Sequence, residues 1–522
     1  MVKWTWVVVA MVWWLAGAGG CDSPDREVIE VPVDLSPGTP LPDPGDLGPP
    51  PAVSCALRVS VSTPDDCGKL ESYDLTGCDL ESLKGVDTSG PFNARFHDTS
   101  TGPGRATDQL LGRYYFLEPE AAHPMFLVST ANIPGRPYSV TAELGCRAVG
   151  TDRVLGCDVY CEAGKPPRVL SFESVRTRRR PGEAESSGGL RLIGEASTGA
   201  NTGMGVDVYV TKGHAYVVNI EAGFPGEGGL FVFDLADRTA PRLVASITHP
   251  DDAYWNGVWA KDDALYVASA ARGVLVFDIS DPASPRLIQD LSGGMRRSTH
   301  TLFVNGNRLY AMDNGDVLIF DVTHAREPVL LGSYRDESSR MPGRNSYPHD
   351  ATSLNHLLFV NHWGAGLLIL DARDPANVKK LGAYEYPNAM SHYSRVAYFQ
   401  NNLIAFEGGE GWGAHLRVLN LNDPANPTLI GEYKLSPEVS IHNMELVGNR
   451  LYLAHFQQGV RVLDVTVPSR PREIAYHHTW REHDPVFLNV SSWEGAVGIR
   501  VPGDGYVYAV DSQRGLLVFP EL

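Results

Sequence analysis

Short apolar runs, each closed by Asp and followed by a turn, recur along the last two thirds of the chain. The clearest copies are GLFVFD from Gly229, GVLVFD from Gly273, DVLIFD from Asp316 and GLLILD from Gly366. A second apolar run, such as ALYVASA or RLYAMDN, precedes each copy across a short turn. The runs are too short for helices and lack a 3.6-residue period, so the pattern predicts strand–turn–strand units throughout.

The spacing of these units predicts their architecture. The residues that close the strands are Asp234, Asp278, Asp321, Asp371, Asn420, Asp464 and Pro520, at successive intervals of 44, 43, 50, 49, 44 and 56 residues. This is the period of a four-stranded propeller blade. We therefore expect an all-β protein with a seven-bladed β-propeller over residues 186–522.

The last unit stops at Leu522, before the outer strand that follows the turn in the other units. Residues 189–196, GLRLIGEA, resemble the outer strands PRLIQDL and PTLIGEY. They are expected to complete the seventh blade, so that backbone hydrogen bonds close the ring and leave no exposed sheet edge.

The closing strands LFVFD, VLVFD, VLIFD, LLILD, LRVLN and VRVLD resemble the LVIVD-repeat family over roughly residues 186–522. The resemblance implies a β-propeller-like fold in a bacterial or archaeal protein, often exported, with no generally assigned catalytic activity. Residues 52–166 do not share the pattern.

The first half of the chain contains a separate cysteine-rich segment. Its six cysteines are Cys55, Cys67, Cys78, Cys146, Cys157 and Cys161. In an exported chain this even number predicts three disulfides that staple a small β-rich domain over residues 52–166. The pairing stays open, and a metal site is the alternative, disfavoured because Cys157 and Cys161 have no second close pair beside them. Residues 167–185, with the basic run from Arg176 to Arg180, are expected to form a solvated linker.

The amino terminus predicts export. Residues 1–20 combine Lys3, an apolar stretch and small residues, as a signal peptide does. Ala18-Gly19-Gly20-Cys21 resembles a bacterial lipoprotein box, which implies a lipid on Cys21 and attachment to the membrane of the cell envelope. The Pro-rich residues 21–51 are then a solvated tether. A spanning anchor and a cleaved signal with a free Cys21 are the alternatives.

Charge restricts the partners. The 522 residues include 44 Lys and Arg against 62 Asp and Glu, a net charge of −18. Such an acidic protein is unsuited to bind nucleic acid. We expect a monomer with a protein, peptide or glycan partner.

Histidines supply the candidate chemistry. His300, His349 and His442 each lie ten residues before an aromatic residue of the following strand, and Asn256 holds the same place in its unit. His392 is offset by about two residues. Innermost strands line a propeller channel, so these side chains are expected to meet at one mouth, where neutral imidazoles suit zinc, copper or iron. Asp350 would orient a ligand or act as a base. The alternative is that the histidines hydrogen-bond neighbouring blades and ordered water.

Other polar positions have structural interpretations. The acidic residues of the turns are expected to form strand corners rather than a calcium site; they are Asp278, Asp281, Asp371, Asp374 and Asp423. The string GGEGWG at 408–413 is interpreted as a turn, and no hydrolase, zincin or phosphate-loop motif is present. The sequence thus favours a non-enzymatic binding or scaffold module without a cofactor, and a metal-dependent enzyme is the alternative.

Overall fold

The computed structural model describes most of the chain from residue 137 onward and parts of what precedes it. The described residues are 34–38, 41, 53, 56–58, 63–87, 92–98, 112–114, 126–131, 137–180, 182–221, 228–249, 251–340, 346–387, 389–481 and 494–522. The predicted signal peptide, Cys21, Cys55 and most of the tether lie outside them. Within these ranges there is no α-helix, and no helix is long and apolar enough to cross a membrane.

The cysteine-rich segment forms a β-rich unit, as predicted. Its strands are β1 (Ala56–Leu57), β2 (Tyr73–Asp74), β3 (Phe92–Asp98), β4 (Gly112–Tyr114), β5 (Phe126–Ala131), β6 (Ser139–Val149), β7 (Arg153–Glu162) and β8 (Arg168–Arg176). β1 pairs with β2, and the other six make an antiparallel sheet in the order β4-β3-β8-β7-β6-β5. Short 3-10 helices span Pro64–Gly68, Leu70–Ser72 and Ser82–Gly85, and a fourth lies later in the chain at Glu337–Arg340.

Disulfides staple this unit. Cys67 pairs with Cys161 and Cys78 with Cys146. Cys157 is also disulfide-bonded. The bridges tie the segment before β3 to the strands β6 and β7. They stabilise a unit that is too small to bury a large hydrophobic core.

The predicted boundary at residue 166 is too early, and the solvated linker is wrong for most of its length. β8 pairs with both β3 and β7, so the sheet continues to Arg176. Arg176 and Thr177 are buried, and Arg178 Nη2 lies 2.9 Å from Asp152 Oδ2. The alternating apolar residues of RVLSFESVR place this segment in the sheet. The basic run has acidic partners, although the Arg178 and Arg180 side chains stay partly exposed.

The remaining strands belong to the repeats. They are β9 (Ser186–Ser187), β10 (Gly194–Ala196), β11 (Met204–Thr211), β12 (His214–Ile220), β13 (Gly229–Asp234), β14 (Arg242–Thr248), β15 (Trp255–Lys261), β16 (Ala264–Ser269), β17 (Gly273–Asp278), β18 (Arg286–Asp290), β19 (Thr299–Asn305), β20 (Arg308–Asp313), β21 (Asp316–Asp321), β22 (Val329–Tyr334), β23 (Pro348–Leu354), β24 (Leu357–His362), β25 (Gly366–Asp371), β26 (Lys379–Tyr384), β27 (Ser391–Phe399), β28 (Asn402–Gly409), β29 (Leu416–Asn420), β30 (Thr428–Tyr433), β31 (Met444–Val447), β32 (Arg450–Ala454), β33 (Val460–Asp464), β34 (Arg472–His477), β35 (Ala496–Arg500), β36 (Tyr506–Asp511) and β37 (Gly515–Pro520).

Antiparallel four-stranded sheets follow one another along this region. Five are built from consecutive strands, from β11-β12-β13-β14 to β27-β28-β29-β30. The next, β31-β32-β33-β34, gains β9 as a fifth strand, and the last has the order β10-β37-β36-β35. Buried apolar side chains fill the spaces between neighbouring sheets. The molecule is all-β and propeller-like.

Both ends of the repeat region enter one sheet. β10 pairs with β37, with Glu195 opposite Leu517, which is the strand pairing expected from the sequence. On the inner side, Arg500 Nε of β35 donates to the Val208 carbonyl of β11 at 3.2 Å. The last sheet therefore packs against the first.

The acidic turn residues form strand corners, as interpreted. Asp278 Oδ1 accepts the Ser280 N–H at 2.9 Å, and Asp371 Oδ1 accepts the Arg373 N–H at 3.0 Å. Asp281, Asp374 and Asp423 each bond the backbone N–H two residues on in the same way. Each carboxylate thus accepts a hydrogen bond from the backbone of its own turn.

The predicted tether is not wholly solvated. Of its described residues, Leu35 packs against a buried apolar cluster, and the Gly38 N–H donates to the Leu429 carbonyl of β30 at 3.3 Å. The Leu41 N–H donates to the Glu432 carboxylate. The outermost strand of a sheet has backbone groups that no further strand binds. Gly38 bonds to one of these groups on β30.

Candidate functional site

β-Bulges at the start of the innermost strands aim single side chains at the centre of the repeat region. The pairing of β15 with β16 slips at Asn256, that of β23 with β24 at His349, and that of β27 with β28 at His392. In β19 the slip spans His300 and Thr301. A bulge turns its extra residue out of the regular alternation, so equivalent positions from successive sheets converge.

The four predicted histidines form one continuous row, in which His349 and His392 are buried and His300 and His442 are partly exposed. His300 Nε2 lies 2.8 Å from His349 Nε2. The ring centroids of His349 and His392, and those of His392 and His442, are 4.1 Å apart. Asn256 Nδ2 is 3.3 Å from His300 Nε2 and extends the row by one sheet.

The offset of His392 in the sequence has a simple cause. β27 has nine residues and β23 has seven, so the hairpin after His392 is longer. His392 nevertheless occupies the same bulge as His349. Counting back from the aromatic residue therefore misses the equivalence, which the strand pairing restores.

Sequence reasoning misses Glu410. This residue follows β28 within the GGEGWG string, whose sequence indicates only a turn, and its carboxylate reaches the histidines. Glu410 Oε2 is 3.7 Å from His392 Nε2, and Glu410 Oε1 is 4.0 Å from His442 Nε2. Its sequence signal is a single carboxylate in a long loop between two strands, on the side where the histidines lie.

Burial dominates the electrostatics of the cluster. It lowers the pKa values of His300 and His442 to about 4, and those of His349 and His392 well below the usual value. The neighbouring imidazoles lower the last two further. The rings are consequently neutral near pH 7, which is the form that binds metals.

Asp350 does not orient a histidine, contrary to the expectation from the sequence. Its carboxylate accepts the Ala351 N–H at 2.7 Å, and burial raises its pKa to about 8. It lies beneath the histidines and lines the same small cavity of about 20 Å³ as His349, His392 and His442. That volume holds about one water molecule.

A group of paired charges borders the cavity, which Arg500 lines. Glu445 accepts from Arg395 Nη2 at 3.0 Å and from Arg500 Nη1 at 2.7 Å. The Arg500 guanidinium stacks 4.2 Å from the centre of the Trp259 ring. The three charged groups come from three different sheets and are buried, so they tie the innermost strands together.

The histidines lie at the face that carries the long connections. The chain between β22 and β23 runs from 335 to 347, and that between β34 and β35 from 478 to 495. At the opposite face β19 and β20 are joined by Gly306 and Asn307 alone. We call the face with the long connections the loop face.

The disulfide-stapled unit also contacts the loop face. Asn93 Nδ2 of β3 donates to the Glu438 carbonyl at 3.0 Å, and the Arg95 guanidinium lies 5.7 Å from the centre of the Trp412 ring. Glu438 and Trp412 belong to the loops before β31 and after β28. The histidine cluster therefore lies near a junction between two folded parts, where binding sites commonly occur.

Comparison with known proteins identifies the repeat. The model of the LVIVD repeat family matches residues 254–291, which confirms the resemblance seen in the closing strands. No curated protein matches the chain.

Two solved structures are similar to part of the chain. One is the extracellular domain of a protein named as a putative one component system from B. thetaiotaomicron, with TM-score 0.43, 12% identity and coverage of 63% of this chain and 39% of that one. The other is Sqt1 from Chaetomium thermophilum, with TM-score 0.45, 10% identity and coverage of 62% of this chain and 98% of that one. This chain thus spans about two fifths of the length of the first.

Proposed function

We propose that this chain, which carries an LVIVD repeat, is an exported bacterial protein whose seven-bladed β-propeller serves as a binding or scaffold module at the cell envelope. A lipid on Cys21 would hold it to the membrane, and the loop face would bind a protein, peptide or glycan partner. The molecule would act as a monomer.

The observation that carries this proposal is the asymmetry between the two faces. Most hairpins on the opposite face have two residues, the exception being 501–505, and its other connections are turns capped by Asp or Asn. Connections on the loop face vary from the two residues 314–315 to the segment 478–495. Uniform short turns serve the fold, and long varied loops on a rigid scaffold are where binding residues concentrate. The disulfide-stapled unit contacts the same face.

Export is supported by the oxidised cysteines. Cys67–Cys161 and Cys78–Cys146 are disulfides, and such bonds persist outside the reducing cytosol. Several acyl chains at one terminus contribute about 0.8 kcal/mol per buried CH₂, enough for stable attachment. In cell fractionation, the wild-type protein should follow the membranes and Cys21→Ser should become soluble in the periplasm or medium.

Site-specific photo-crosslinking tests the binding face. A photoreactive residue replaces either Met295, 63% exposed on the loop face, or Asn307 on the opposite face. In intact cells, a discrete adduct from position 295 alone is expected. Adducts from position 307 alone, or from neither position with a fully exported protein, would contradict the proposal.

A metal-dependent enzyme is the second candidate. Two buried histidines and one buried carboxylate favour it, because their donor atoms lie within 4.8 Å of one another. Three protein ligands with one open position suit Lewis-acid chemistry. This candidate requires that the cluster binds a metal at all.

A further inference from the structure

Glu410 differs from the other buried carboxylates of the repeat region in what surrounds it. Glu407 pairs with Arg417 at 3.3 Å, and Glu445 pairs with Arg395 at 3.0 Å. Among the described residues, Glu410 forms no ion pair with Arg or Lys, and its neighbours are the imidazoles of His392 and His442. A buried carboxyl group is paired with a cation, binds a metal or keeps its proton. Burial raises the pKa of Glu410 to about 8, so a bound metal would displace this proton and supply the positive charge that the neutral imidazoles lack.

The ring nitrogens of the histidines are not all paired. His300 Nε2 lies 2.8 Å from His349 Nε2, and one of these two nitrogens donates to the other. His349 Nδ1 and His392 Nδ1 are buried and form no hydrogen bond of good geometry with a described residue, although the backbone of the next histidine lies close to each ring. Buried nitrogens without partners are rare in native proteins and call for an explanation.

A hydrogen bond from Nδ1 to the backbone fixes the His442 ring. Its Nδ1 lies 2.8 Å from the Val497 carbonyl and donates to it. Nε2, which lies 4.0 Å from Glu410 Oε1, consequently carries the lone pair. His442 can therefore accept a hydrogen bond from a group or water molecule beside Glu410.

We propose that His349, His392 and Glu410 bind one zinc ion on the axis of the repeat region. Nitrogen and carboxylate donors in a group of three suit Zn²⁺, whose fourth position commonly holds water. The cavity lined by His349, His392 and His442 has room for that water. This site goes beyond the binding function proposed above and does not depend on it.

Zinc titration of the full, tag-free chain tests the site. The protein is stripped with a chelator and dialysed, Zn²⁺ is added in a calorimeter, and bound zinc is then counted by mass spectrometry. We expect one zinc per chain. Glu410→Gln, which keeps the shape of the side chain, and the double variant His349→Gln/His392→Gln should each bind zinc at least about tenfold more weakly.

The matched control is His415→Gln. His415 is also buried and lies 2.7 Å from a carboxylate, that of Glu432, but it stands off the axis. It should bind zinc as the wild type does. Zinc should also raise the melting temperature of the wild type and not that of Glu410→Gln, since a ligand stabilises only the folded state that binds it. A wild type that binds no zinc, or a folded Glu410→Gln that binds it equally well, would overturn the proposal.

Discussion

At the scale of single residues, the molecule buries charge in two ways. Several buried carboxylates face arginine, as Glu407 faces Arg417. Others do not, and burial raises the pKa of some of these. Besides Glu410 on the axis, Asp158 in β7 is of this kind, with a pKa raised to about 7 by burial, which the charge of Arg168 only partly offsets.

Asp158 makes stability depend on pH. Its pKa is about 7 in the folded protein and near 3.8 when exposed, so the folded state keeps a proton that the unfolded state releases. The stabilising contribution is full below about pH 4 and is lost as the pH rises towards 7. We expect Asp158→Asn, which cannot ionise, to melt at a higher temperature than the wild type at pH 7.5 and to differ little from it at pH 4.

Calorimetry of the full chain measures this, and Glu71→Gln serves as the control because Glu71 is exposed on the surface of the same unit. The control should follow the wild type at both pH values. An Asp158→Asn curve parallel to that of the wild type across this range would show that burial does not govern the carboxyl group.

At the scale of elements, the fourth strand of several sheets contains a glycine where the next sheet comes close. A Cβ on Gly382 in β26 would lie 2.1 Å from the Pro424 carbonyl oxygen of the following Asp-Pro turn. A Cβ on Gly194 in β10 would lie 2.0 Å from the Arg238 carbonyl oxygen. The contact between neighbouring sheets inside the series thus recurs between the last sheet and the first.

Gly382→Ala should therefore destabilise the protein by about 1–3 kcal/mol, the range for overpacking, because the methyl group meets backbone that cannot rotate away. Urea unfolding followed by tryptophan fluorescence measures the loss. Gly85→Ala is the matched control, since a Cβ added at Gly85 would have no described atom within 4 Å. Equal stability of the two variants would mean that the sheets do not pack as closely as described.

The repeats could be predicted at this scale because each strand carries its own alternation and turn. The strand β10 was recognisable because GLRLIGEA repeats the outer-strand pattern. β8 and the anchoring of Arg176–Arg180 were missed, because pairing with β3, far away in sequence, decides them. The convergence of the histidines followed from pseudo-symmetry, whereas Glu410 reaches them from the loop between β28 and β29, whose sequence GGEGWG does not follow the repeat pattern.

At the scale of the whole molecule, closure of the repeat region decides which side chains meet. β10 is joined to β37 by backbone pairing, and β35 packs beside β11. Side chains more than a hundred residues apart, such as His300 and His442, join one row only because the sheets curve about a common axis.

Deletion of residues 186–197 should open this arrangement. The deletion removes β9 and β10 and leaves β37 with an unpaired edge, so a lower melting temperature and faster proteolysis near the C terminus are expected. The control replaces the same residues with a Gly/Ser linker of equal length, which keeps the connection and should be equally destabilised. Unchanged melting in both proteins would argue against closure through β10.

The most direct test of closure and of the axial site together is a crystal structure of the tag-free protein grown with zinc, with diffraction data collected at the zinc absorption edge. We predict seven sheets in a closed ring and a single anomalous peak on its axis, about 2.0–2.2 Å from nitrogens of His349 and His392 and from an oxygen of Glu410. An open row of sheets, or a closed ring with no anomalous density between these three side chains, would contradict this prediction.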